Sequence, residues 1–172
     1  AKSGIMRGRE FLMKDLYSFN DSEESLNDFY DQAKGAYERI FERVGLGDLT
    51  YITFASGGTF SKYSHEYQTL SEAGEDTIYV DREKRVAYNK EIATPEDARK
   101  LGVNFLELET ARASEVGNIF PLNTKFSKAF DYYYTDEKGE RNLVYMGCYG
   151  LGTSRLMGVL AEKCSDEKGL AW

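Results

Sequence analysis

The amino-acid sequence predicts an α+β fold in which helices pack against a mainly antiparallel sheet. Three observations support this prediction. In residues 24–44, apolar side chains recur at intervals of three and four residues, which is the pattern of a helix with one buried face. Several short β-type segments are separated by turn signals, including a hairpin turn expected at residues 137–140. A glycine-rich strand at residues 146–152 leads directly into another helix.

The amino-terminal half is expected to contain a strand, a long helix and three further strands. Residues 9–19 form the first strand, and the polar and acidic residues 20–23 supply a helix start. Gly45 and Gly47 end the helix. The helix face expected to pack on the sheet contains Leu26, Phe29, Tyr37, Ile40 and Phe41. The strands predicted next are residues 49–55, 65–70 and 77–80, with a turn at residues 56–58.

The carboxy-terminal half is expected to begin with a short helix. Thr94 is a candidate N-cap, Pro95 suits the first helical position, and Gly102 ends the helix. Another helix is expected over residues 153–164. The tyrosines at 132–134 could stack on bases, but an alternating strand beside a hairpin explains them more simply. Further strands are predicted at residues 119–122, 129–134 and 142–149.

Length and composition describe one globular domain. The chain has 172 residues, and no apolar run approaches the roughly 20 residues that span a bilayer. The absence of a signal-peptide pattern and the presence of only two cysteines predict a cytoplasmic protein without a disulfide framework. One histidine and two scattered cysteines argue against structural zinc. The net charge of −7 argues against tight nucleic-acid binding by this chain alone, because phosphate neutralisation dominates such affinities.

The segment MGCYGLGTSR, residues 146–155, is the most informative part of the sequence. Gly147, Gly150 and Gly152 have no Cβ, so a ligand can approach the backbone closely. The guanidinium of Arg155, in the first turn of the following helix, can bind phosphate or lie flat on a base. The combination predicts a nucleotide site. It matches neither the P-loop pattern nor the G-x-G-x-x-G spacing.

Two segments together resemble the class II aminoacyl-tRNA synthetases. MRGREFLMKD, residues 6–15, is similar to the second half of their motif 2, and MGCYGLGTSR is similar to their motif 3. Two further segments narrow the resemblance to the bacterial-type prolyl-tRNA synthetases: SHEYQTLSEAGEDTIY at residues 64–79 and ASEVGNIFPLNTKFS at residues 113–127. The four segments occur in the family's order and cover nearly the whole chain.

The resemblance implies that residues 1–172 are part of a class II catalytic domain, from the motif 2 loop through motif 3. Motif 1, the F-R-x-E strand of motif 2, the Thr-x-Glu loop and the anticodon-binding domain are expected to lie outside the chain. With motif 1 present, the protein is expected to be a homodimer. Relatives that proofread carry an editing domain between motifs 2 and 3. Here residues 92–111 form only a short charged connector, so no such domain is expected.

The resemblance also assigns functional residues. Arg155 is expected on the γ-phosphate and one face of adenine, Phe11 on the other face, and Arg7 on the γ-phosphate or the tRNA end. Arg7 and Arg155 are the predicted catalytic residues, and Glu115 is the expected Mg²⁺ ligand. The predicted ATP-binding residues are Arg7, Glu10, Phe11, Glu115, Asn118, Gly150, Gly152 and Arg155. The predicted proline pocket consists of His65, Glu66, Phe120 and Cys148.

The implied reaction is attack of the L-proline carboxylate on the α-phosphorus of ATP, followed by transfer of the prolyl group to tRNA(Pro). The carboxylate is already an anion at neutral pH, so the reaction requires positive charge and positioning rather than a general base. Two alternatives remain: another class II synthetase, for threonine, serine or histidine, and a non-catalytic relative built on the same fold. A hydrolase based on Ser64 and His65 is disfavoured because the chain contains no G-x-S-x-G motif.

Overall fold

The structure, a computed structural model, describes residues 4–61 and 63–171 and has the predicted α+β architecture. The helices are α1 (Glu23–Arg43), α2 (Pro95–Leu101), α3 (Lys125–Ala129) and α4 (Thr153–Cys164). The strands are β1 (Lys14–Asn20), β2 (Thr50–Ser56), β3 (Tyr63–Leu70), β4 (Asp76–Asp81), β5 (Val86–Asn89), β6 (Glu109–Asn123), β7 (Tyr133–Thr135), β8 (Arg141–Leu143), β9 (Tyr145–Leu151), β10 (Ser165–Asp166) and β11 (Gly169–Leu170). Short 3₁₀ turns occupy Gly4–Arg7, Gly47–Leu49, Lys90–Ile92 and Phe105–Glu107.

Seven strands form one sheet in the order β1-β9-β6-β3-β2-β5-β4. The pairs in this sheet are antiparallel except β2–β5. Strand β4 also pairs with the first part of β6, so that β6, β3, β2, β5 and β4 close into a small barrel. The second part of β6 leaves the barrel and pairs with β9, which in turn pairs with β1. Strand β6 therefore belongs to both parts of the sheet.

Helix α1 forms where the apolar repeat predicts it. The Ser22 side chain accepts a hydrogen bond from the Ser25 amide at 3.2 Å, and Gly45 follows the helix with φ of 77°, the left-handed conformation that glycine adopts readily. The predicted face packs on the sheet. The core between helix and sheet includes Tyr30, Tyr37, Phe41, Tyr67, Val116, Ile119, Tyr149 and Leu151, with Phe29 and Ile40 partly buried against it.

The two other predicted helices are also confirmed. Thr94 caps α2 by accepting from the Asp97 amide at 3.1 Å, and Gly102 ends α2 with φ of 65°. Helix α4 spans the predicted residues and buries Leu156 and Val159 in the main core. In the part of the chain that the structure describes, no helix combines the length and apolar character needed to cross a membrane.

Several strand predictions require correction. Residues 129–134 do not form one strand: α3 ends there, Asp131 has a positive φ of 52°, and only Tyr133–Thr135 extends beyond it. The strand expected at residues 142–149 is divided at Val144 into β8 and β9. Strand β5 was not predicted, and β6 is much longer than the expected residues 119–122. Hydrogen bonding to neighbouring strands on both edges stabilises β6. The strand propensity of the β6 residues alone does not reveal this pairing.

Candidate active site

A cavity of about 400 Å³ opens where β1, β6 and β9 meet the start of α4, beside the turn Gly4–Arg7. Its lining residues are Ile5, Met6, Arg7, Gly8, Phe11, Met13, Asp15, Glu115, Val116, Gly117, Asn118, Phe120, Cys148, Gly150, Gly152 and Arg155. The structure therefore brings together the predicted ATP-binding residues with the exception of Glu10. It adds Phe120 and Cys148, two of the four residues of the predicted proline pocket, to the same cavity.

Strand register explains why these residues meet. Direct antiparallel partners place their side chains on the same face of a sheet. One row across β1, β9, β6 and β3 consists of Asp15, Gly150, Asn118 and Glu66. The next row on this face consists of Tyr17, Cys148 and Phe120. The intervening row faces α1 instead, and consists of Leu16, Tyr149, Ile119 and His65.

A β-bulge places Glu115 and Asn118 on the same face. They are three positions apart, an odd number that would normally direct their side chains to opposite faces. The register of β3 against β6 shifts so that Val116 is the extra residue, with Glu115 opposite Gln68 and Asn118 opposite Glu66. Asn118 Nδ2 consequently donates to Glu115 Oε1 at 2.9 Å. The bulge thus creates a polar corner of the cavity.

Arg155 is fixed in the cavity wall by three contacts. Its Nε donates to the Met6 carbonyl at 3.0 Å, and its Nη1 donates to the Glu115 carbonyl at 2.7 Å. Nη1 also lies 3.5 Å from Glu115 Oε2. The Arg155 side chain is 28% exposed, so its charge is partly shielded from water and remains available to the cavity. This arrangement can stabilise an anion placed beside the first turn of α4.

The motif 2 segment supplies one wall of the cavity, although not every predicted residue lines it. Phe11 does and is 55% exposed, which leaves an aromatic surface available for stacking. Arg7 also lines the cavity and forms an ion pair with Glu75. Glu10 is exposed and lies outside the cavity lining. The expectation that Phe11 and Arg155 enclose a purine between them stays a prediction.

The glycines of MGCYGLGTSR serve two different purposes. A Cβ on Gly147 would lie 2.3 Å from the Tyr149 hydroxyl and 2.8 Å from Ser18 Oγ, so Gly147 is required by core packing. A Cβ on Gly150 would meet only Met13 Sδ at 3.6 Å and the Asn118 carbonyl at 3.7 Å. The fold therefore tolerates a side chain at Gly150, and the glycine keeps the cavity open.

The predicted proline pocket is only partly assembled at the cavity. Phe120 and Cys148 are direct cross-strand partners in its wall. His65 instead lies on the α1 face, where its Nδ1 is 2.9 Å from the Tyr30 hydroxyl and its ring contacts Phe54 with centroids 4.7 Å apart. Burial lowers the pKa of His65 to about 4, and the positive charge of Lys34 adds to this effect. The structure therefore does not bring His65 into the cavity.

Glu66 lies on the cavity face of the sheet but behind the lining residues. It is 8% exposed, and its Oε2 accepts from Gln68 Nε2 at 2.9 Å and from Asn89 Nδ2 at 3.0 Å. Burial raises the pKa of Glu66 to about 7, and the negative charge of Glu115 contributes further. Glu66 therefore belongs to a buried polar cluster next to the cavity and does not line the cavity itself.

Sequence reasoning overlooked some of the cavity lining and the hydrogen-bond partners of Glu66 in the buried polar cluster. Met13 and Asp15 line the cavity, and with Phe11 they alternate at a period of two, a signal that could have identified them. Gln68 lies two residues from Glu66 on β3, so strand alternation could have paired them. No comparable signal marks Asn89, because closure of the barrel brings it to Glu66 from β5.

The chain belongs to the class II tRNA synthetase core-domain family. The model of this family, described as "tRNA synthetase class II core domain (G, H, P, S and T)", matches residues 1–164. Fold and cavity agree with this assignment, since the motif 2 and motif 3 segments occupy opposite ends of the chain and meet in one site.

Among curated proteins the chain is similar to proteins named proline–tRNA ligase. It is 37% identical to the one from Rickettsia akari, 35% identical to the one from Rickettsia peacockii and 37% identical to one from Rickettsia bellii. Each alignment covers 98% of this chain and 42% of the relative. The chain therefore spans about two fifths of the length of these relatives.

Proposed function

We propose that this chain is catalytic-core sequence of a prolyl-tRNA synthetase, which activates L-proline with ATP and transfers it to tRNA(Pro). The observation that carries the proposal is the shared cavity, where Arg155 and Phe11 from the two synthetase motifs meet a small apolar wall of Phe120 and Cys148. The family and the names of its relatives support the same reaction. The compartment proposed for this reaction is the cytoplasm.

In the proposed first step, a carboxylate oxygen of proline attacks the α-phosphorus of ATP, and the bond to the β-phosphate oxygen breaks. The products are prolyl adenylate and pyrophosphate. No proton has to be removed, because the nucleophile is already ionised. The protein must supply orientation and positive charge. We assign Arg155 to the γ-phosphate and one adenine face, Phe11 to the other face, and Glu10 to the adenine edge.

Arg7 and Arg155 are both paired with carboxylates, Glu75 and Glu115 respectively. These ion pairs keep the two guanidinium groups near the cavity while no phosphate is present. The phosphates of ATP can then replace the carboxylates as acceptors with little rearrangement of the arginines. We therefore assign Arg7 and Arg155 to the triphosphate, where they would stabilise charge on the departing pyrophosphate.

The residues at the cavity fit Mg²⁺ only together with nucleotide phosphates. In residues 4–61 and 63–171, no group of three or more His, Cys, Asp or Glu could hold a metal ion. Mg²⁺ commonly takes one or two carboxylates and completes its shell with phosphate oxygens and water. Glu115, at the cavity wall and 32% exposed, is the proposed carboxylate. A bound Mg²⁺ would neutralise phosphate charge.

The small apolar wall fits the proline ring. Phe120 and Cys148 provide an aromatic face and a compact thiol, and burial raises the pKa of Cys148, which favours the neutral thiol. We propose that the longer protein is a homodimer through motif 1 and that it lacks an internal editing domain. In this structure the interval proposed for that insertion contains α2 and the turn Phe105–Glu107.

The proposal is tested by ATP–pyrophosphate exchange with the full-length protein and a panel of amino acids. We expect exchange with proline, and Arg155→Ala should raise the barrier by about 2.7–4 kcal/mol, the range for losing one preorganised charge-stabilising group. Arg99→Ala, an exposed arginine on α2, is the matched control. Exchange with threonine, serine or histidine would indicate another class II synthetase. Absence of exchange with every amino acid would favour a non-catalytic relative.

A further inference from the structure

A buried polar cluster lies behind the cavity, where the barrel joins the rest of the sheet. Gln68 Nε2 donates to Glu66 Oε2 at 2.9 Å and to Asp76 Oδ2 at 2.8 Å. Asn89 Nδ2 donates to the same Glu66 oxygen at 3.0 Å. Beside this cluster, Asn118 Nδ2 donates to Glu115 Oε1 at 2.9 Å, and both of these residues line the cavity. The proposed function uses only the cavity end of this network.

The cluster contains more acceptors than donors. Both donors to Glu66 converge on Oε2, and Oε1 has no hydrogen-bond donor among the described residues. Two amide oxygens, Asn118 Oδ1 and Gln68 Oε1, are buried and have no hydrogen-bond partner in the part of the chain that the structure describes. Leaving a buried amide oxygen unpaired costs about 1–3 kcal/mol. A proton on Glu66 Oε1 would turn this oxygen into a donor that can satisfy one of these amide oxygens.

The positions of Glu66 and Asn118 allow this arrangement. They are direct partners in the β3–β6 ladder and project from the same face of the sheet, where β carbons of opposite residues lie about 5 Å apart. Rotating the Asn118 amide would not solve the problem, because Oδ1 would then face the Glu115 carboxylate that Nδ2 now bonds. We propose that Glu66 carries a proton on Oε1 and donates it to Asn118 Oδ1, which positions Asn118 and, through it, Glu115.

The surrounding charges favour the neutral acid. Asp76 faces Glu66 from β4, and Glu115 faces it from β6; both are carboxyl groups. Strands β2 and β5 contribute Thr53 and Asn89, which do not titrate in this range. Among the described residues, two arginines lie at this corner, and each is paired with a carboxylate, Arg155 with Glu115 and Arg7 with Glu75. Burial and like charge together raise the pKa of Glu66 to about 7.

Loss of the proton would reverse the orientation of one amide. An ionised Glu66 repels Asn118 Oδ1 and attracts Nδ2, so the amide rotates and Glu115 loses its donor. Glu66 is thus a positioning residue that acts on the cavity through Asn118. Its effect on catalysis rests on the proposed function, in which Glu115 faces ATP. Its protonation and the response of Asn118 do not rest on that function.

The first experiment is a carbon-13 NMR titration of glutamate carboxyl groups in the 172-residue chain, with nitrogen-15 detection of asparagine side-chain amides. We expect one glutamate to titrate near neutral pH and to disappear from the spectrum of Glu66→Gln. The Asn118 amide signals should shift with the same midpoint. Glu72→Gln, which removes an exposed glutamate after β3, is the control and should leave this titration in place. The proposal would be overturned if Glu66 were fully ionised at mildly acidic pH. It would also be overturned if the Asn118 amide signals did not shift as Glu66 titrates.

The second experiment measures the KM for ATP and for proline in pyrophosphate exchange by the full-length protein from about pH 6 to pH 9. We expect the KM for ATP to rise above neutral pH, and Glu66→Gln to remove this dependence because its amide donates to Asn118 at every pH. Glu66→Leu, which has no donor, should raise the KM for ATP about tenfold across the range. A rise confined to the KM for proline would overturn the positioning role, since Glu66 would then bind the amino acid. A wild-type protein without exchange would refute the proposed function, and the NMR result would still decide the protonation of Glu66.

Discussion

His65 and Glu66 should give the stability of this protein two opposing responses to pH. They are consecutive residues of β3 and project from opposite faces, His65 towards α1 and Glu66 towards the barrel interior. Both are largely buried, and burial disfavours the charged form of each. A buried histidine therefore resists gaining a proton, and a buried carboxyl group resists losing one.

The magnitudes follow from the displacement of each pKa. Glu66 moves from 4.5 to about 7, so between these values the folded protein holds a proton that the unfolded chain has lost. Its stability contribution therefore falls by about 3 kcal/mol as pH rises through this window. Folding lowers the pKa of His65 from 6.5 to about 4, so between these values the unfolded chain binds a proton that the folded protein does not bind. That contribution falls by about 3 kcal/mol as pH decreases from 6.5 to 4.

In the wild-type protein these two slopes largely cancel between about pH 4.5 and 6.5, and single variants should separate them. We expect the free energy of unfolding of Glu66→Gln, relative to wild type, to increase by about 3 kcal/mol between pH 4.5 and pH 8. For His65→Gln, the free energy of unfolding relative to wild type should increase as pH falls below 6.5. Urea unfolding followed by circular dichroism, with differences taken at each pH, removes contributions from other groups. Differences that change in the same direction, or not at all, would refute the assigned protonation states.

Three further predictions concern ATP binding, the glycines of the motif 3 segment and editing. The 172-residue chain should bind ATP weakly, in a manner sensitive to Arg155→Ala by calorimetry, but should not support proline-dependent exchange; exchange at a synthetase-like rate would contradict this. Gly147→Ala should destabilise the protein by about 1–3 kcal/mol through its clash with Tyr149, whereas Gly150→Ala should lower ATP affinity with little change in the urea midpoint. The full-length protein should form and release alanyl-tRNA(Pro), because each methylene that alanine lacks relative to proline contributes only about 1–3 kcal/mol of discrimination. No editing domain is expected that would hydrolyse this product. Rapid deacylation by the purified protein would show a proofreading site.

The sequence predicts those parts of the fold that depend on local pattern. The apolar stripe of α1, the cap at Thr94 and the boundaries of α4 are encoded within single segments, and all three are confirmed. Strands were less predictable because their extent depends on partners distant in sequence. The barrel closes only when β4 pairs with both β5 and the start of β6, and nothing in Val86–Asn89 alone indicates that pairing.

The candidate site shows the same division between local and distant determinants. Motifs identify Arg155, Phe11 and Glu115, which the structure brings to one cavity. The motifs also suggest His65 as a site residue. Strand alternation, however, directs His65 and Glu66 to opposite faces of the sheet, and a sequence motif does not indicate which of two neighbouring residues faces a ligand. The bulge at Val116 reverses the expected alternation within EVGN. A one-residue register shift of this kind depends on the pairing of two complete strands, so it becomes visible only in the structure.

The position of β6 explains how the barrel and the cavity act together. Its first residues pair with β4 up to Ala113, its middle pairs with β3, and its end pairs with β9. Glu115 and Asn118 flank the bulge within the stretch that pairs with β3, so the same backbone that closes the barrel orients the polar corner of the cavity. Interactions inside the barrel, such as the bond from Gln68 to Glu66, therefore reach the candidate site through one strand. A substitution in the barrel interior can alter the ATP-facing residues without touching the ligand, provided that it changes the orientation of Asn118.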